Sequence, residues 1–344
     1  MNTVNQKIIQ AVIDKANKIY PDSLALIGIY GSAGTEDEYE RSDLDLLILI
    51  DNDEGWKLAT GFILEDSKVG YDIYCTTLSS LRYEAECHNA HLSKLMDSRI
   101  VYVKNQDAYD ELLALRDQAK LLLSSKERFQ RAYELVDKAK TAYANACLRE
   151  GAGQVYMEAF SVIASLSDAF MLFHGKYFKR GVKRTFQELS ALPIDEVFIE
   201  LIQKVIASKD TCQLRGLLKQ LILYAENHIR KEKPKAAPSE SLSGTYEEMY
   251  SNWRNKVEEA AKNADAFASF MNMCSFQSML SEIAEETEIG SFPVMDEYSP
   301  DSLEDNIKTF DKYLQKYEQV YKQAGISVKR YSDVEGFAAD YLRK

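Results

Sequence analysis

At 344 residues the chain is long enough for two or three domains with substantial cores. Acids outnumber bases 54 to 42, and residues 1–110 alone carry 19 acids against 10 bases, so the basic face that grips a nucleic-acid backbone is not expected. Five cysteines (Cys75, Cys87, Cys147, Cys212 and Cys274) fall in no metal-ligand spacing, the N-terminus lacks a basic region followed by an apolar core, and no run approaches the ~20 residues of a membrane span. A reduced, cytoplasmic protein with no membrane partner is the expectation.

Ile8, Ile9, Val12, Ile13, Ala16 and Ile19 recur at helical spacing and predict an amphipathic helix that stops near Pro21 and packs on a sheet. Leu24 to Tyr30 is a short apolar run of the kind a strand shows when both its faces are covered. It ends at Gly31-Ser32, where a glycine permits positive φ and close approach of a bound group, and the following amides and the Ser32 hydroxyl can donate to an anion. Such a bend suits a phosphate. Ten residues later Asp43-Leu44-Asp45 opens a second aliphatic run that continues to Ile50. Alternation along a strand sends Asp43 and Asp45 to one face and Leu44 and Leu46 to the other. Two like charges side by side at a buried strand are costly unless cations or protons compensate them. Magnesium, a hard ion commonly held by one or two carboxylates plus substrate phosphates, fits that need, so the arrangement asks for a metal-bound nucleoside triphosphate. Asn52 to Gly55 reads as a turn and Trp56 sits in a short helix-prone stretch. Val69 to Tyr74 is an apolar, β-prone segment that supplies a third acid, Asp72. A helix should begin after Thr76-Thr77 with Ser79 or Ser80 as its cap, and SRIVYVK (98–104) reads as a last strand.

Gly31-Ser32, the ten-residue gap, Asp43-Leu44-Asp45 in an aliphatic strand and then Asp72 together resemble the nucleotidyltransferase superfamily that shares its palm fold with DNA polymerase β. The resemblance covers roughly the first hundred residues and lies nearest to the kanamycin- and lincosamide-type antibiotic nucleotidyltransferases. It implies an α+β fold with a small mixed β-sheet palm followed by a mostly α-helical bundle. It also implies that Asp43 and Asp45 hold magnesium in a two-ion site, with Asp72 as third ligand or as base. Antibiotic-modifying and minimal members commonly carry an arginine-glycine pair soon after the serine. Here the loop reads AGTEDEYER (33–41), with four acids where a triphosphate would lie and Arg41 as a partial substitute for the missing base.

From Tyr109 onward the pattern is helical. Phe129, Ala132, Leu135, Val136, Ala139, Ala142, Tyr143 and Ala146 predict one long helix ended by Gly151 and Gly153, and Gln154 to Phe173 a second, the two forming a hairpin. Kanamycin-type relatives carry such a helical region after the palm, where it contacts the acceptor. KYFKRGVKR (176–184) is the densest basic patch, and Lys183, with Arg180, is the candidate to reach the triphosphate and compensate the acidic loop. Residues 231–243 hold two prolines and three serines and read as a linker. Beyond it, Thr245 to Glu248 has capping-box spacing. Tyr246, Met249, Tyr250, Trp253 and Val257 form one apolar stripe, and Leu303, Ile307, Phe310, Leu314, Tyr317 and Tyr321 another, suited to helix packing within the chain or between the copies of a homodimer. The expected organisation is 1–108 catalytic, 109–233 a helical bundle that binds the acceptor, and 245–344 a C-terminal helical segment.

The reading implied is transfer of a nucleoside monophosphate, AMP from ATP or its counterpart from another triphosphate, to a hydroxyl of a small molecule such as an aminoglycoside, releasing pyrophosphate. If Asp72 is only a ligand, Glu158 and Asp168 are the candidate bases on the helical region. His88, His91, His174 and His228 show no triad or zinc spacing. Two other readings are an antitoxin-like regulator that modifies or covers a partner protein, and a catalytically silent nucleotide-binding relative.

Overall fold

The computed structural model describes residues 3–39, 42–229 and 235–342. The chain divides into two compact units, Met1–Lys231 and Glu232–Lys344.

In the first unit the helix α1 (Thr3–Ile19) precedes strands β1 (Leu24–Ile29) and β2 (Leu46–Ile50). A short 3₁₀ turn spans Asp53–Leu58. Strands β3 (Thr60–Leu64), β4 (Val69–Ile73) and β5 (Cys75–Thr76) follow, and then helices α2 (Leu78–Ala85) and α3 (Ser93–Asp97) and strand β6 (Arg99–Val103). Among the described residues one sheet has the order β5-β2-β1-β6. Its β1 pairs antiparallel with β2 and β6, while β2 pairs parallel with β5, so the sheet is mixed as expected. A separate hairpin pairs β3 with β4, Gly61 opposite Asp72.

β1 and β2 are buried along their whole length because both faces of the sheet are covered. On one side Ile27, Ile29, Leu46, Ile48 and Ile50 pack with Ile9, Val12 and Ala16 of α1. On the other, Ala25, Leu26, Leu47 and Leu49 share a core with the helices that follow. Those helices are α4 (Gln106–Ser124), α5 (Glu127–Leu148), α6 (Ala152–Phe173), α7 (Thr185–Ser190), α8 (Val197–Ala207) and α9 (Thr211–His228). The change from sheet to bundle near residue 108 is therefore a change of secondary structure inside one core, which runs from Leu47 through Leu112 and Leu166 to Leu221. α5 and α6 form the expected hairpin. Gly175 ends α6 with φ +66°, where a Cβ would lie 2.6 Å from the Leu123 carbonyl oxygen. By length and composition α6 is apolar enough to cross a membrane, contrary to the reading that no run comes near a span. Its apolar residues Val155, Ala159, Val162 and Leu166 instead pack in this core.

Two local expectations are corrected and one strand is added. α2 is capped by Thr77, whose side chain accepts from the Ser80 amide, and not by Ser79 or Ser80. β3 lies outside the expected strands: Phe62, Ile63 and Leu64 are consecutive and show no period-2 alternation, and three of its five residues are exposed. The capping box at Thr245 does not form. Gly244, at φ +94°, occupies the cap, and the Thr245 hydroxyl turns to the Leu242 carbonyl oxygen and the Tyr317 hydroxyl.

Among its described residues the second unit holds helices α10 (Thr245–Met249), α11 (Asn255–Lys262), α12 (Ala266–Glu286), α13 (Leu303–Gln323) and α14 (Val334–Tyr341), a π turn at Tyr250–Arg254 and short 3₁₀ turns at Glu240–Leu242 and Val294–Glu297. The π turn inserts a residue into the helical ladder and shifts the stripe that begins at Tyr246. Met249 and Val257 stay buried while Tyr250 faces outward. Phe310, Leu314, Tyr317 and Tyr321 of α13 enter this unit's own core, Phe310 stacking on Phe276 at 4.0 Å. The stripe is thus used for packing within the chain.

Candidate active site

The site is built where β1 leaves the sheet. Tyr30 donates its amide to the Asp45 carbonyl oxygen at 3.1 Å, which holds the end of β1 against the lead-in to β2. Gly31 then turns at φ +72°, and a Cβ placed there would lie 1.9 Å from Asp45 Oδ2 and 2.7 Å from Asp45 Cγ. The carboxyl group therefore lies where any other side chain at position 31 would have to be. After Ser32 the chain tightens further, with the Thr35 amide and hydroxyl both donating to the Ser32 carbonyl oxygen, at 3.0 and 2.7 Å.

Asp43 is exposed, Leu44 buried and Asp45 half-buried, the alternation expected of an extended lead-in even though the paired strand starts only at Leu46. Burial, and then the neighbouring charge of Asp43, push the Asp45 carboxyl up to about 6. Burial, and then the charges of Asp45, Glu84 and Asp43, push the Tyr30 phenol up to about 12.

Asp72 lies on β4, opposite Gly61 of β3, in the hairpin outside the sheet of β1 and β2. Its neighbours Val69, Tyr71 and Ile73 belong to the core beneath α1, as do Leu44, Leu46 and Ile48. By alternation Asp72 points away from that core and is exposed. Asp43 and Asp72 line one open cleft of about 600 Å³ with Gly61, Phe62 and Tyr71. Burial and then Asp43 raise the Tyr71 phenol above its ordinary range. Even so, among the described residues no three His, Cys, Asp or Glu side chains stand close enough together to hold a metal ion unaided. The donors that do meet are two carboxylates with like charge and oxygen atoms only. That set suits a hard divalent ion completing its shell with water and substrate phosphates, and does not suit a closed all-protein metal cage.

The basic segment 176–184 faces the bend. Arg180 Nη1 donates to the Gly31 carbonyl oxygen at 3.2 Å, and Arg180 Nε and Arg184 Nε reach Asp37 of the acidic loop at 3.2 and 2.6 Å. Lys183 lies over the Tyr39 ring, its Nζ 5.9 Å from the centroid. The structure thus joins the basic patch to the acidic loop through Arg180 and Arg184 more closely than through Lys183. Arg184 was not singled out in the sequence, although it belongs to the same run. Tyr30, Gly31, Gly34, Arg99, Lys179 and Arg180 line a cleft of about 630 Å³. Arg41 lies outside the described residues.

Glu188 of α7 secures this segment, accepting from the amides of Lys179 and Arg180 at 2.8 and 2.9 Å. Glu188→Ala should cost about 1–2 kcal/mol, since two donors to a charged acceptor lose it. Amide hydrogen exchange over residues 176–184 should quicken about tenfold. Unchanged exchange there would show that the segment is held by other bonds.

Of the two candidate bases on α6, Glu158 pairs with Arg149 at 3.6 Å near the hairpin tip. It stands fifteen residues, roughly 22 Å along the helix, from the end that leads to the basic segment. Asp168 is buried, its carboxyl pushed up to about 6 by burial, with His91 Nε2 at 3.4 Å. Neither lines the two clefts described above. Cys75 and Cys87 are buried thiols pushed up to about 11 by burial, inert by that measure.

No family model matches the chain, and no curated protein matches it. Among solved structures it is similar to a nucleotidyltransferase-like protein from Exiguobacterium sibiricum 255-15, at 15% identity and a TM-score of 0.38, over 72% of this chain and 80% of that one.

Proposed function

We propose that the chain is a nucleotidyltransferase that moves a nucleoside monophosphate from ATP, or another nucleoside triphosphate, to a hydroxyl of a small molecule. The observation that carries this reading is the Asp45 carboxyl seated in the space a Cβ at Gly31 would need, with the Asp43 charge beside it. A bend of that kind can accept a polyphosphate, and two acids under mutual repulsion await a cation.

Magnesium bound by Asp43 and Asp45 would neutralise charge on the triphosphate and lower the pKa of the attacking hydroxyl. Gly31 and Ser32 hold the phosphate chain by backbone and hydroxyl donors, and Arg180 with Lys183 offsets its charge from the facing segment. The acceptor oxygen forms a bond to the α-phosphorus, the bond to the bridging oxygen breaks, and pyrophosphate leaves with that electron pair. Asp72 takes the hydroxyl proton on a carboxylate oxygen, supported by its position on the cleft it shares with Asp43. The acidic balance of the chain favours a cationic acceptor such as an aminoglycoside over a nucleic acid.

Incubation of the pure protein with α-labelled ATP, magnesium and panels of aminoglycosides and lincosamides tests this. Label should appear on a small molecule, and pyrophosphate should be released in step. Label on a protein would favour the antitoxin-like regulator instead, and no label with any nucleoside triphosphate would leave a silent binding protein. In the active case Asp72→Asn should lower kcat by roughly 10²- to 10⁴-fold with KM for the nucleotide little changed, as for loss of a general base. A KM rise with kcat intact would make Asp72 a ligand for substrate binding only.

A further inference from the structure

The bend carries donors that are already occupied by anionic groups of the chain itself. The Gly34 amide, at φ +76°, donates to Glu38 Oε2 at 2.6 Å. Arg184 and Arg180 converge on the two oxygens of Asp37, whose side chain is only 10% exposed. A carboxylate shared between guanidinium groups presents the charge and spacing that a phosphate oxygen pair would present. The hydrogen bond from Arg184 holds the Asp37 carboxyl below the usual carboxylate range, so it is a full anion at neutral pH.

We infer that the Gly34 amide, Arg180 and Arg184 form a polyphosphate-binding site that the ligand-free chain fills with its own Glu38 and Asp37 carboxylates, which the phosphate groups displace on entry. The two sides of the site are held differently. The basic segment is anchored by Glu188 through the Lys179 and Arg180 amides, and Arg180 is bonded to the Gly31 carbonyl oxygen, so these groups keep their places when Asp37 leaves. Residues 35–39 are tied mainly by short-range bonds: the Thr35 hydroxyl to Ser32, the Asp37 amide to the Thr35 hydroxyl, and the Glu38 amide to the Thr35 carbonyl oxygen. Such a loop can swing away without disturbing the sheet. The device accounts for acids standing where a triphosphate is expected: they are stand-ins for it, at the cost of some affinity. The triphosphate identity of the ligand rests on the transferase reading, whereas the anion site does not.

The test uses the full chain and calorimetric titration with inorganic tripolyphosphate and, separately, with ATP. Asp37→Asn combined with Glu38→Gln should bind tripolyphosphate about fivefold more tightly than the wild type, the scale expected when ion pairs to partly exposed arginines cease to compete. Glu38→Gln alone, which leaves the arginine pairs intact, should tighten binding about twofold. A control with the same change in net charge, Glu196→Gln just before α8 with Glu200→Gln on α8, should bind like the wild type. Equal or weaker binding by both loop variants, equal tightening by the control, or no binding of tripolyphosphate to any of these proteins would overturn the inference. Tightening for tripolyphosphate but not ATP would give the site to inorganic polyphosphate; tightening for both would give it to the nucleotide. Tighter binding with no label transfer to any acceptor would uphold the site and sink the transferase reading; transfer without tightening would do the reverse.

Discussion

Replacing Asp45 with asparagine is expected to abolish transfer and, at neutral pH, to raise the melting temperature. The two effects share one cause. Burial and the Asp43 charge hold the Asp45 carboxyl at about 6, above the ~3.9 of an unfolded chain. The folded state therefore binds the proton more tightly than the unfolded state does. The stability gained from that proton is fully present below about pH 4 and is lost as pH rises through about 6. At pH 7–8 the wild type holds an ionised group in an unfavourable place. Two pKa units correspond to almost 3 kcal/mol, but Asp45 keeps considerable solvent contact, so a discounted figure on the order of 1 kcal/mol is appropriate. For a unit of this size that amounts to a melting temperature about 2–4 °C higher in the variant at pH 8, a gap that closes by pH 4. Transfer should fall by about 10³-fold or more, since the lost ligand supports several kcal/mol of transition-state charge stabilisation. Thermal melts of both proteins across pH 4–8, run beside the labelled-ATP assay, check both halves. A variant that melts lower than the wild type at pH 8 would mean that Asp45 is a structural acceptor and not a strained ligand.

What could be read without coordinates follows the range of the interactions involved. The runs Leu24–Tyr30 and Leu44–Ile50 announce buried strands because two covered faces leave no polar position, and the parity of Asp43 and Asp45 needs only the strand period. The α5–α6 hairpin likewise depends on local spacing and on glycine stops. β3 escapes because Phe62, Ile63 and Leu64 are consecutive apolar residues on a mostly exposed strand, with no alternation to read. The pairing of Arg184 with Asp37 spans 147 residues, and no local rule reports it. Thr245 shows the opposite failure. A local capping signal was present, but the Tyr317 hydroxyl, 72 residues away, and the permissive Gly244 offered the same groups a different arrangement. The outward turn of Tyr250 has a similar origin, since a π turn leaves no mark in apolar spacing. At the site, Gly31, Asp43 and Asp45 lie within one β-turn-β unit that local rules describe, and Arg180 belongs to a basic run visible in the sequence, whereas its pairing with Asp37 depends on contacts no local rule reports.

Gly31→Ala should be the more damaging of two chemically identical substitutions in the same turn. Gly31 and Gly34 adopt φ values of +72° and +76°, so an alanine at either position meets the same backbone strain, about 1–2 kcal/mol. Their surroundings differ. At Gly34 an added Cβ has no atom within 4 Å, whereas at Gly31 it lies 1.9, 2.7 and 3.0 Å from Oδ2, Cγ and Cβ of Asp45. Rotating the carboxylate tip cannot relieve a clash that reaches the Cβ, so the whole Asp45 side chain must move, or the lead-in to β2 must shift with it. Gly34→Ala should therefore lose only the strain energy. Gly31→Ala should lose roughly a further 1–3 kcal/mol from overpacking, seen as a lower urea midpoint at unchanged slope, and at least 10² in transfer rate because the displaced carboxylate is the proposed ligand. The pH dependence offers a readout independent of catalysis. Once Asp45 is expelled from beside Gly31, its carboxyl should return toward the ordinary range, and the loss of stability between pH 4 and 7 that marks the wild type should shrink in Gly31→Ala while persisting in Gly34→Ala. Equal effects of the two substitutions on stability, pH profile and transfer would mean that the contact between bend and carboxylate does not organise the site.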